Sequence, residues 1–339
     1  METVLLHNTE EDIARAGAIL REGGLVAIPT ETVYGLAANA LDGRAVAKIF
    51  VAKGRPQDNP LIVHIAELSQ WGPLVSEISP RAMALAKAYW PGPLTIILPK
   101  SDIIPDEVSA GLDTVAVRFP SMRTAQKIIN AAGVPLAAPS ANLSGSPSPT
   151  CARHTMDDMC GRIDAVLDGG DCNFGVESTV ITLATEVPRL LRPGAVTPEE
   201  LRAVLGEIAI DEAVMGQLKE GVKAASPGMK YKHYSPKAEV TIVKSDLAAF
   251  CQLAEKTENQ QGVFALCFDG EQETIPLPCV TYGRADDSLT QSHRLFTALR
   301  ELDEKGAKVV YARCPSTDGV GMAVYNRLLR AAGFSVLTL

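Results

Sequence analysis

The sequence of 339 residues lacks the features that mark secreted and membrane-spanning proteins. No run of 18 uncharged apolar residues occurs, and the first twelve residues have neither the basic segment nor the apolar core of a secretion signal. The seven cysteines form no Cys-x-x-Cys pair, a pattern that favours free thiols over a disulfide framework or a zinc site. We therefore expect a cytoplasmic protein that has no membrane segment.

An excess of basic residues is also missing. The chain has 32 Lys and Arg against 40 Asp and Glu, and residues 1–205 carry 17 basic and 23 acidic residues, a net charge of −6. A protein whose main task is to grip nucleic acid is strongly basic instead, so we expect no strong direct nucleic-acid binding. With 46% hydrophobic and 21% charged residues, the composition is that of a folded globular chain long enough for two domains.

Strand-like apolar runs alternate with helical patterns in two separate stretches of the chain, which predicts an α/β fold for each stretch. In the first, Thr197 and Glu200 form a capping box around Pro198, which predicts a helix over 198–205. Four more helices are predicted in the first stretch. One begins after the cap Thr9, and the others cover 43–52, 80–89 and 121–131. Its predicted strands are 3–7, 25–28, 61–65, 94–98, 114–118, 165–167 and 178–183. The second stretch, after residue 237, predicts a smaller α/β unit.

The two stretches are separated by a segment with the character of a linker. Residues 206–225 have few bulky apolar side chains at regular spacing, and Pro, Gly, aromatic and basic residues then crowd into 226–236. Two tyrosines, a histidine and two lysines within 230–234 are more chemical groups than a passive tether needs. We expect 206–237 to fold over a nucleotide site as a lid.

A polar segment follows the apolar run 25–28. Thr30, Glu31, Thr32 and Tyr34 stand where α/β proteins commonly build their sites, at the end of a buried strand. They are suited to binding a small polar molecule. An ordinary turn, in which the hydroxyl groups satisfy backbone groups, explains the same residues equally well.

Cations at a predicted helix end indicate an anion site. Lys53 and Arg55 flank Gly54, and Asn59 and His64 follow them. An ammonium group beside a guanidinium fork is suited to phosphate or carboxylate. The alternative is a helix-dipole interaction worth about 0.3–1 kcal/mol, but it leaves the later polar residues without a role. Since both cations are expected to project from the helix end, truncating either should cost little folding energy.

Further hydroxyl, amide and guanidinium groups are spread over three more segments. The loop 138–148 is rich in serine and suits polyphosphate oxygens, although it lacks the Walker pattern and also resembles a surface turn. Arg118 lies on a predicted strand and Arg192 lies shortly before the capping box, and each is suited either to internal pairing or to a cleft. The sequence has no nucleophile elbow and no dinucleotide-binding motif. Such a set positions reactants and stabilises charge, which is sufficient for phosphoryl or nucleotidyl transfer.

Taken together and in order, five segments resemble the YrdC-like domain family. They are 30–36, 53–64, 139–145, 177–179 and 191–194. The likeness implies a twisted open-sheet catalytic domain over 5–205, a linker and lid over 206–237, and a Rossmann-like α/β domain over 238–339, as in the two-domain members. It also implies the family's reaction, in which L-threonine, bicarbonate and ATP give L-threonylcarbamoyladenylate and pyrophosphate for tRNA modification.

The resemblance assigns roles to individual residues. It implies an L-threonine site formed by Thr32, His64, Arg118 and Ser178. It implies an ATP site formed by Lys53, Arg55, Asn59, Thr114, Ser140, Asn142, Ser148, Arg192 and Tyr234. Lys53 and Arg55 would carry the catalytic role, and Mg²⁺ would bind the phosphates of ATP without side-chain ligands. The labile product would pass to a tRNA threonylcarbamoyl-transferase complex.

Two other functions belong to different classes. An isolated YrdC-like domain can act as an RNA-binding module, but the net charge of −6 over residues 1–205 argues against sequence-independent affinity for RNA. A carbamoyl-transfer domain that uses carbamoyl phosphate is the second alternative. It predicts additional acylphosphatase and zinc-finger domains, and the sequence has no segment that matches either.

Overall fold

The computed structural model describes residues 2–217, 234–257 and 260–339, which divide into two compact units. Unit 1 contains 2–144, 148–173 and 177–217. Unit 2 contains 145–147, 174–176, 234–257 and 260–339. Two three-residue segments inside the predicted catalytic domain thus group with unit 2, and the predicted domain limits otherwise stay predictions.

Unit 1 is built on a mixed eleven-stranded sheet. Its strands are β1 (Val4–His7), β2 (Val26–Ile28), β3 (Gly35–Asn39), β4 (Ile62–His64), β5 (Leu94–Pro99), β6 (Thr114–Arg118), β7 (Leu136–Ala137), β8 (Ala165–Asp168), β9 (Thr179–Thr182), β10 (Arg189–Arg192) and β11 (Ala209–Ile210). Their order in the sheet is β1-β8-β2-β3-β7-β4-β6-β5-β9-β10-β11. The helices of this unit are α1 (Glu10–Arg21), α2 (Gly43–Lys53), α3 (Pro80–Tyr89), α4 (Asp106–Ser109), α5 (Arg123–Ala132), α6 (Ala152–Met159) and α7 (Pro198–Leu205).

Unit 2 has a five-stranded sheet in which every paired strand is parallel. Its strands are β12 (Glu239–Lys244), β13 (Val263–Cys267), β14 (Cys279–Thr281), β15 (Val309–Arg313) and β16 (Val336–Thr338), in the order β14-β13-β15-β12-β16. Its helices are α8 (Leu247–Glu255), α9 (Ser288–Glu304) and α10 (Gly319–Ala331). Helices that connect parallel strands make this a Rossmann-like α/β unit, so the predicted fold class is confirmed for both units.

Strand β2 is buried on both faces, which fixes the polar segment that follows it. Val26 and Ile28 pack into one apolar cluster with α1 and α5, whereas Leu25 and Ala27 pack into the cluster on the other side. Successive side chains of a strand point to opposite faces, so a continuous apolar run suits a strand covered on both sides. The polar segment that begins at Thr30 therefore follows a strand that is packed on both faces and fixed in position.

The sheet of unit 1 extends into the predicted linker. Ala209 and Ile210 form β11 beside β10, and Ala213 packs into an apolar cluster with Val180 and Leu191. The segment 209–214 therefore belongs to unit 1 and is not a linker. Its apolar residues are too few to give a periodic pattern, which is why the sequence did not reveal the strand. No helix among the described residues is long and apolar enough to cross a membrane.

Candidate active site

Three neighbouring strands bring one group of predicted site residues together. His64 ends β4 and Arg118 ends β6, and the two are register partners in the parallel pair β4–β6. On the other side of β6, Thr95 of β5 is the register partner of Arg118. All three side chains are buried. The sheet thus places an imidazole, a guanidinium and a hydroxyl in one row.

Ser178 joins this row through two side chains. Its hydroxyl lies 2.8 Å from the Thr95 hydroxyl, and Arg192 donates from Nε to the Ser178 carbonyl at 2.9 Å and from Nη2 to Ser178 Oγ at 3.0 Å. Gly194 lets this segment approach closely, because a Cβ there would lie 2.3 Å from the Thr179 nitrogen. Arg192, predicted at the ATP site, is therefore also the residue that fixes Ser178.

A buried ion pair connects the row to the segment after β2. Arg118 Nη2 lies 2.8 Å from Glu31 Oε1, and the side chains are 4% and 3% exposed. Burial acts to raise the pKa of Glu31, but the charge and hydrogen bonding of Arg118 outweigh it and hold that pKa below the ordinary value. Glu31 was among the polar residues predicted to suit a small polar molecule, but neither its pairing with Arg118 nor a place in the threonine site was predicted for it.

The threonines around Glu31 bond mainly to each other and to the backbone. Thr32 is fully buried, and its hydroxyl lies 2.9 Å from that of Thr30, which in turn donates to the Val33 carbonyl at 2.6 Å. Tyr34 is also buried and donates to the Gly170 carbonyl at 2.8 Å. The turn interpretation therefore accounts for Thr30 and Tyr34. Thr32 lies one residue from the Glu31–Arg118 pair and remains a candidate ligand-binding residue.

His64 is an uncharged group in this site. Burial lowers its pKa to about 3, the positive charge of Arg118 acts in the same direction, and Nδ1 lies 3.1 Å from the Ile62 carbonyl. A neutral imidazole has one donor and one acceptor nitrogen. With Nδ1 directed at a carbonyl, Nε2 is left as an acceptor, a suitable partner for a hydroxyl group.

The second group of predicted residues surrounds the end of α2. Gly54 adopts a left-handed conformation (φ 61°) and ends this helix, as predicted. Lys53 does not project from it: the side chain is 3% exposed, and Nζ donates to the carbonyls of Ser140 and Asn142, the latter at 2.6 Å. The expectation that truncating Lys53 costs little is wrong, because its amine holds the backbone of the serine-rich loop.

Arg55 and Asn59 are brought together on the segment that leaves α2. Arg55 Nη2 donates to the carbonyls of Asn59 at 3.2 Å and Pro60 at 3.4 Å, and its side chain is half-buried. The amide oxygen of Asn59 is buried without a hydrogen bond among the described residues. Arg55 is thus the more accessible of the two cations at this helix end.

The serine-rich loop forms hydrogen bonds within itself and with Glu177, an acidic residue that was not among the predicted site residues. Ser140 Oγ donates to the Asn142 side chain at 2.6 Å, and Ser148 Oγ donates to Glu177 Oε1 at 2.5 Å. Ser148 and Glu177 are both buried, and Glu177 directly precedes Ser178. The Glu177 side chain therefore connects the loop to the row that contains Ser178.

The two remaining predicted ATP residues are Thr114 and Tyr234. Thr114 begins β6 and Arg118 ends it, so about 13 Å of strand separates them at 3.3 Å per residue. Tyr234 belongs to unit 2, where its ring lies 5.1 Å from the ring of Phe296. The remaining lid residues of the 230–234 cluster lie outside the described residues. Within the described part of the chain, no cluster of three His, Cys, Asp or Glu residues could hold a metal ion.

Comparisons with known proteins identify the family of this chain. A family model described as telomere recombination (Sua5, YciO, YrdC) matches residues 18–194, and one described as threonylcarbamoyl-AMP synthase, C-terminal domain, matches 196–333. Threonylcarbamoyl-AMP synthases of Pyrococcus abyssi and Bacillus subtilis are each 45% identical to this chain, covering 97% and 98% of it and 96% of the relative. The crystal structure of P. abyssi Sua5 complexed with L-threonine is 44% identical and superposes with a TM-score of 0.92 over 100% of both chains. The chain therefore belongs to the two-domain threonylcarbamoyl-AMP synthase family.

Proposed function

We propose that this protein is an enzyme that condenses L-threonine, bicarbonate or CO₂ and ATP into L-threonylcarbamoyl-AMP and pyrophosphate. The observation that carries the proposal is the convergence of His64, Arg118 and Ser178 on one row, in a chain similar over its whole length to a synthase crystallised with L-threonine. The product would serve a tRNA threonylcarbamoyl-transferase complex. Because all seven cysteines are free thiols, we place the reaction in the cytoplasm.

The threonine site is proposed at the row and the segment after β2. Arg118 has five N–H donors. Its Nη2 faces Glu31, and its Nε donates to the Gly92 carbonyl at 3.4 Å. Nη1 has no hydrogen-bonding partner among the described residues and is suited to the carboxylate of the amino acid. His64 Nε2 and the hydroxyls of Thr32 and Ser178 would bind the threonine side chain and amine.

The ATP site is proposed around the end of α2 and the serine-rich loop. Lys53 would act by fixing the loop that carries Ser140, Asn142 and Ser148, and Arg55 would contact the phosphates. Asn59, Thr114, Arg192 and Tyr234 complete the proposed ATP set. The described residues offer hydroxyl and cationic groups rather than a carboxylate cage, which fits Mg²⁺ that is bound by phosphate oxygens and neutralises their charge.

The residues have separate tasks in the reaction. The neutral amine of threonine adds to CO₂ with loss of a proton, or to bicarbonate with loss of water, to form a carbamate. A carbamate oxygen then attacks the α-phosphorus of ATP, and pyrophosphate leaves. Arg118 orients the amino acid, and the guanidinium of Arg55 stabilises the charge that develops on the phosphates. Placement and charge stabilisation supply most of the catalysis in such transfers.

The function is tested by leaving out one reactant at a time. We expect the purified chain to release pyrophosphate only when L-threonine, bicarbonate, Mg²⁺ and ATP are all present. Pyrophosphate release without threonine would identify a simple ATP pyrophosphohydrolase. RNA binding with a steep salt dependence and no pyrophosphate would favour the binding-module alternative.

Selection of threonine over valine is expected from the polar lining of the site. Replacing the substrate hydroxyl with a methyl group would leave the buried His64 Nε2 without a partner, and among the described residues the Thr32 hydroxyl would keep only its bond to Thr30. Sites built to bind a substrate hydroxyl reject analogues that lack it by factors on the order of 10⁴. For valine we expect kcat/KM to be lower than for threonine by a factor of about 10² or more. The measurement is kcat/KM for pyrophosphate release with each amino acid. Comparable values for threonine and valine would contradict the placement of the side chain.

A further inference from the structure

Among the described residues, Glu31 is the one negative charge in contact with Arg118, and both side chains are buried. Their side chains are 3% and 4% exposed, and the two atoms of the pair lie 2.8 Å apart. The other groups facing the row change this balance little. His64 is uncharged because its pKa is about 3, and Ser178 has one group of each charge beside it, since Arg192 donates to it and Glu177 precedes it in the chain. The proposed pocket around Arg118 is therefore close to electrically neutral.

This neutrality has a consequence for the ligand that the pocket accepts. A zwitterion adds one negative and one positive charge, so the pocket stays neutral when an α-amino acid binds. A plain carboxylate adds only a negative charge, which faces the Glu31 carboxylate across the Arg118 guanidinium in a region that water does not screen. A like charge in such a region costs several kcal/mol.

We propose that Glu31 is a specificity-determining residue that restricts the Arg118 pocket to zwitterionic amino acids and rejects simple carboxylates. This inference rests on the proposed role of Arg118 as the partner of the threonine carboxylate. Glu31 acts through the charge of Arg118: it neutralises the guanidinium and occupies Nη2, while Nη1 is left for the substrate. Arg118 alone would attract any small carboxylate of the cell. With Glu31 beside it, the positive charge that completes the site has to come from the ligand's own ammonium group.

The test compares two ligands that differ only in the amino group. (R)-3-Hydroxybutyrate is L-threonine without its amine, and dissociation constants for both are measured by calorimetry with the full chain. In the Glu31→Gln variant we expect 3-hydroxybutyrate to bind more tightly and threonine more weakly than in the wild type. The ratio of the two dissociation constants should change by about tenfold or more in favour of 3-hydroxybutyrate. Loss of structure would weaken both ligands, so a merely structural role of Glu31 cannot produce this opposite response.

Two variants serve as controls. Glu31→Asp keeps the charge and should keep the wild-type selectivity within about threefold. Asp106→Asn removes the acidic partner of Lys100 in an exposed ion pair and should leave both affinities unchanged. An unaltered ratio in Glu31→Gln overturns the proposal. Should that variant lack a cooperative unfolding transition, the wild type decides: equal affinity for threonine and 3-hydroxybutyrate overturns the proposal on its own. A wild-type chain that binds no threonine at all contradicts the proposed function instead.

Discussion

Replacing Lys53 with alanine is expected to remove both activity and stability, whereas replacing Arg55 removes activity alone. The Lys53 amine is buried and donates to two carbonyls of the serine-rich loop. Its removal leaves these buried acceptors unpaired at a cost of about 1–3 kcal/mol each, so we expect a loss of about 3 kcal/mol in the free energy of unfolding. For a unit of this size that lowers Tm by roughly 6–12 °C. Pyrophosphate formation should fall by about tenfold or more, because the loop residues proposed to bind ATP are displaced.

Arg55→Ala gives the contrast that separates the two roles. Arg55 is half-buried and bonds to the carbonyls of its own segment at 3.2 and 3.4 Å, so its truncation should change Tm by only a few degrees. Loss of a charge contact in the transition state costs about 2–4 kcal/mol, and pyrophosphate formation should fall accordingly. Lys48→Ala is the matched control on α2, since Lys48 is exposed and its one hydrogen bond within the described part of the chain goes to the Gly23 carbonyl. Equal Tm values for Lys53→Ala and Lys48→Ala would show that the loop does not depend on Lys53.

The sequence predicted most elements of the fold because their signals are local. Helix α3 begins at Pro80 after the Ser79 cap and α7 begins at Pro198 after Thr197, as expected from capping residues that bond within one turn. In unit 1, strands β3, β7, β10 and β11 were not predicted. They are two to five residues long and are held by neighbours that are distant in the chain. Ala40 donates to the Pro135 carbonyl, and Asp211 donates to the Leu190 carbonyl. Local periodicity carries no trace of such pairing.

The site could be predicted by residue type but not by partner. Lys53 and Arg55 were both selected as cations at a helix end, yet only the packing of the loop 140–144 decides that Lys53 is buried beneath it. The pairing of Glu31 with Arg118 was missed for the same reason. A lone carboxylate in a polar segment gives no indication of the guanidinium that it meets, because Arg118 lies 87 residues later in the chain. Thr95 likewise enters the site only through the register of β5 with β6.

The second large effect is expected for Arg118→Met, which should abolish threonine binding and make stability depend on pH in a defined way. Methionine fills much of the volume of the arginine side chain but leaves Glu31 buried without a cation. Removing one member of a buried pair costs about 3–5 kcal/mol at neutral pH. Threonine loses the partner of its carboxylate, so we expect its dissociation constant to rise by about 100-fold or more, a change on the order of 3 kcal/mol.

The sign of the pH dependence follows from the two forms of Glu31. In the wild type its pKa lies below the ordinary value of 4.5, so the pair stabilises the fold above that pH and loses this contribution as the pH falls through the lowered pKa. In Arg118→Met the charge and hydrogen bonding of Arg118 are gone, and burial, the largest influence on Glu31, is opposed only by backbone hydrogen bonds at Glu31 and Ser121. We expect burial to prevail and to raise the pKa of Glu31 above 4.5, so the variant is destabilised increasingly as the pH rises through that range.

The difference in Tm between the wild type and Arg118→Met should therefore be largest near pH 8 and shrink below about pH 4, where Glu31 is protonated in the variant. Thermal unfolding at pH values between these limits measures this difference.

The double variant Arg118→Met/Glu31→Gln has no buried charge left to titrate at this position. Its difference in Tm from the wild type should lack the steep rise above pH 4.5 that the single variant shows. Arg189→Met is the matched surface control, because Arg189 is 47% exposed and lies 3.5 Å from Asp211. Its Tm should follow the wild type at every pH, since an exposed pair contributes about 0–1 kcal/mol. A difference for Arg118→Met that is independent of pH would mean that the cost comes from packing alone and that Glu31 does not depend on Arg118 for its charge.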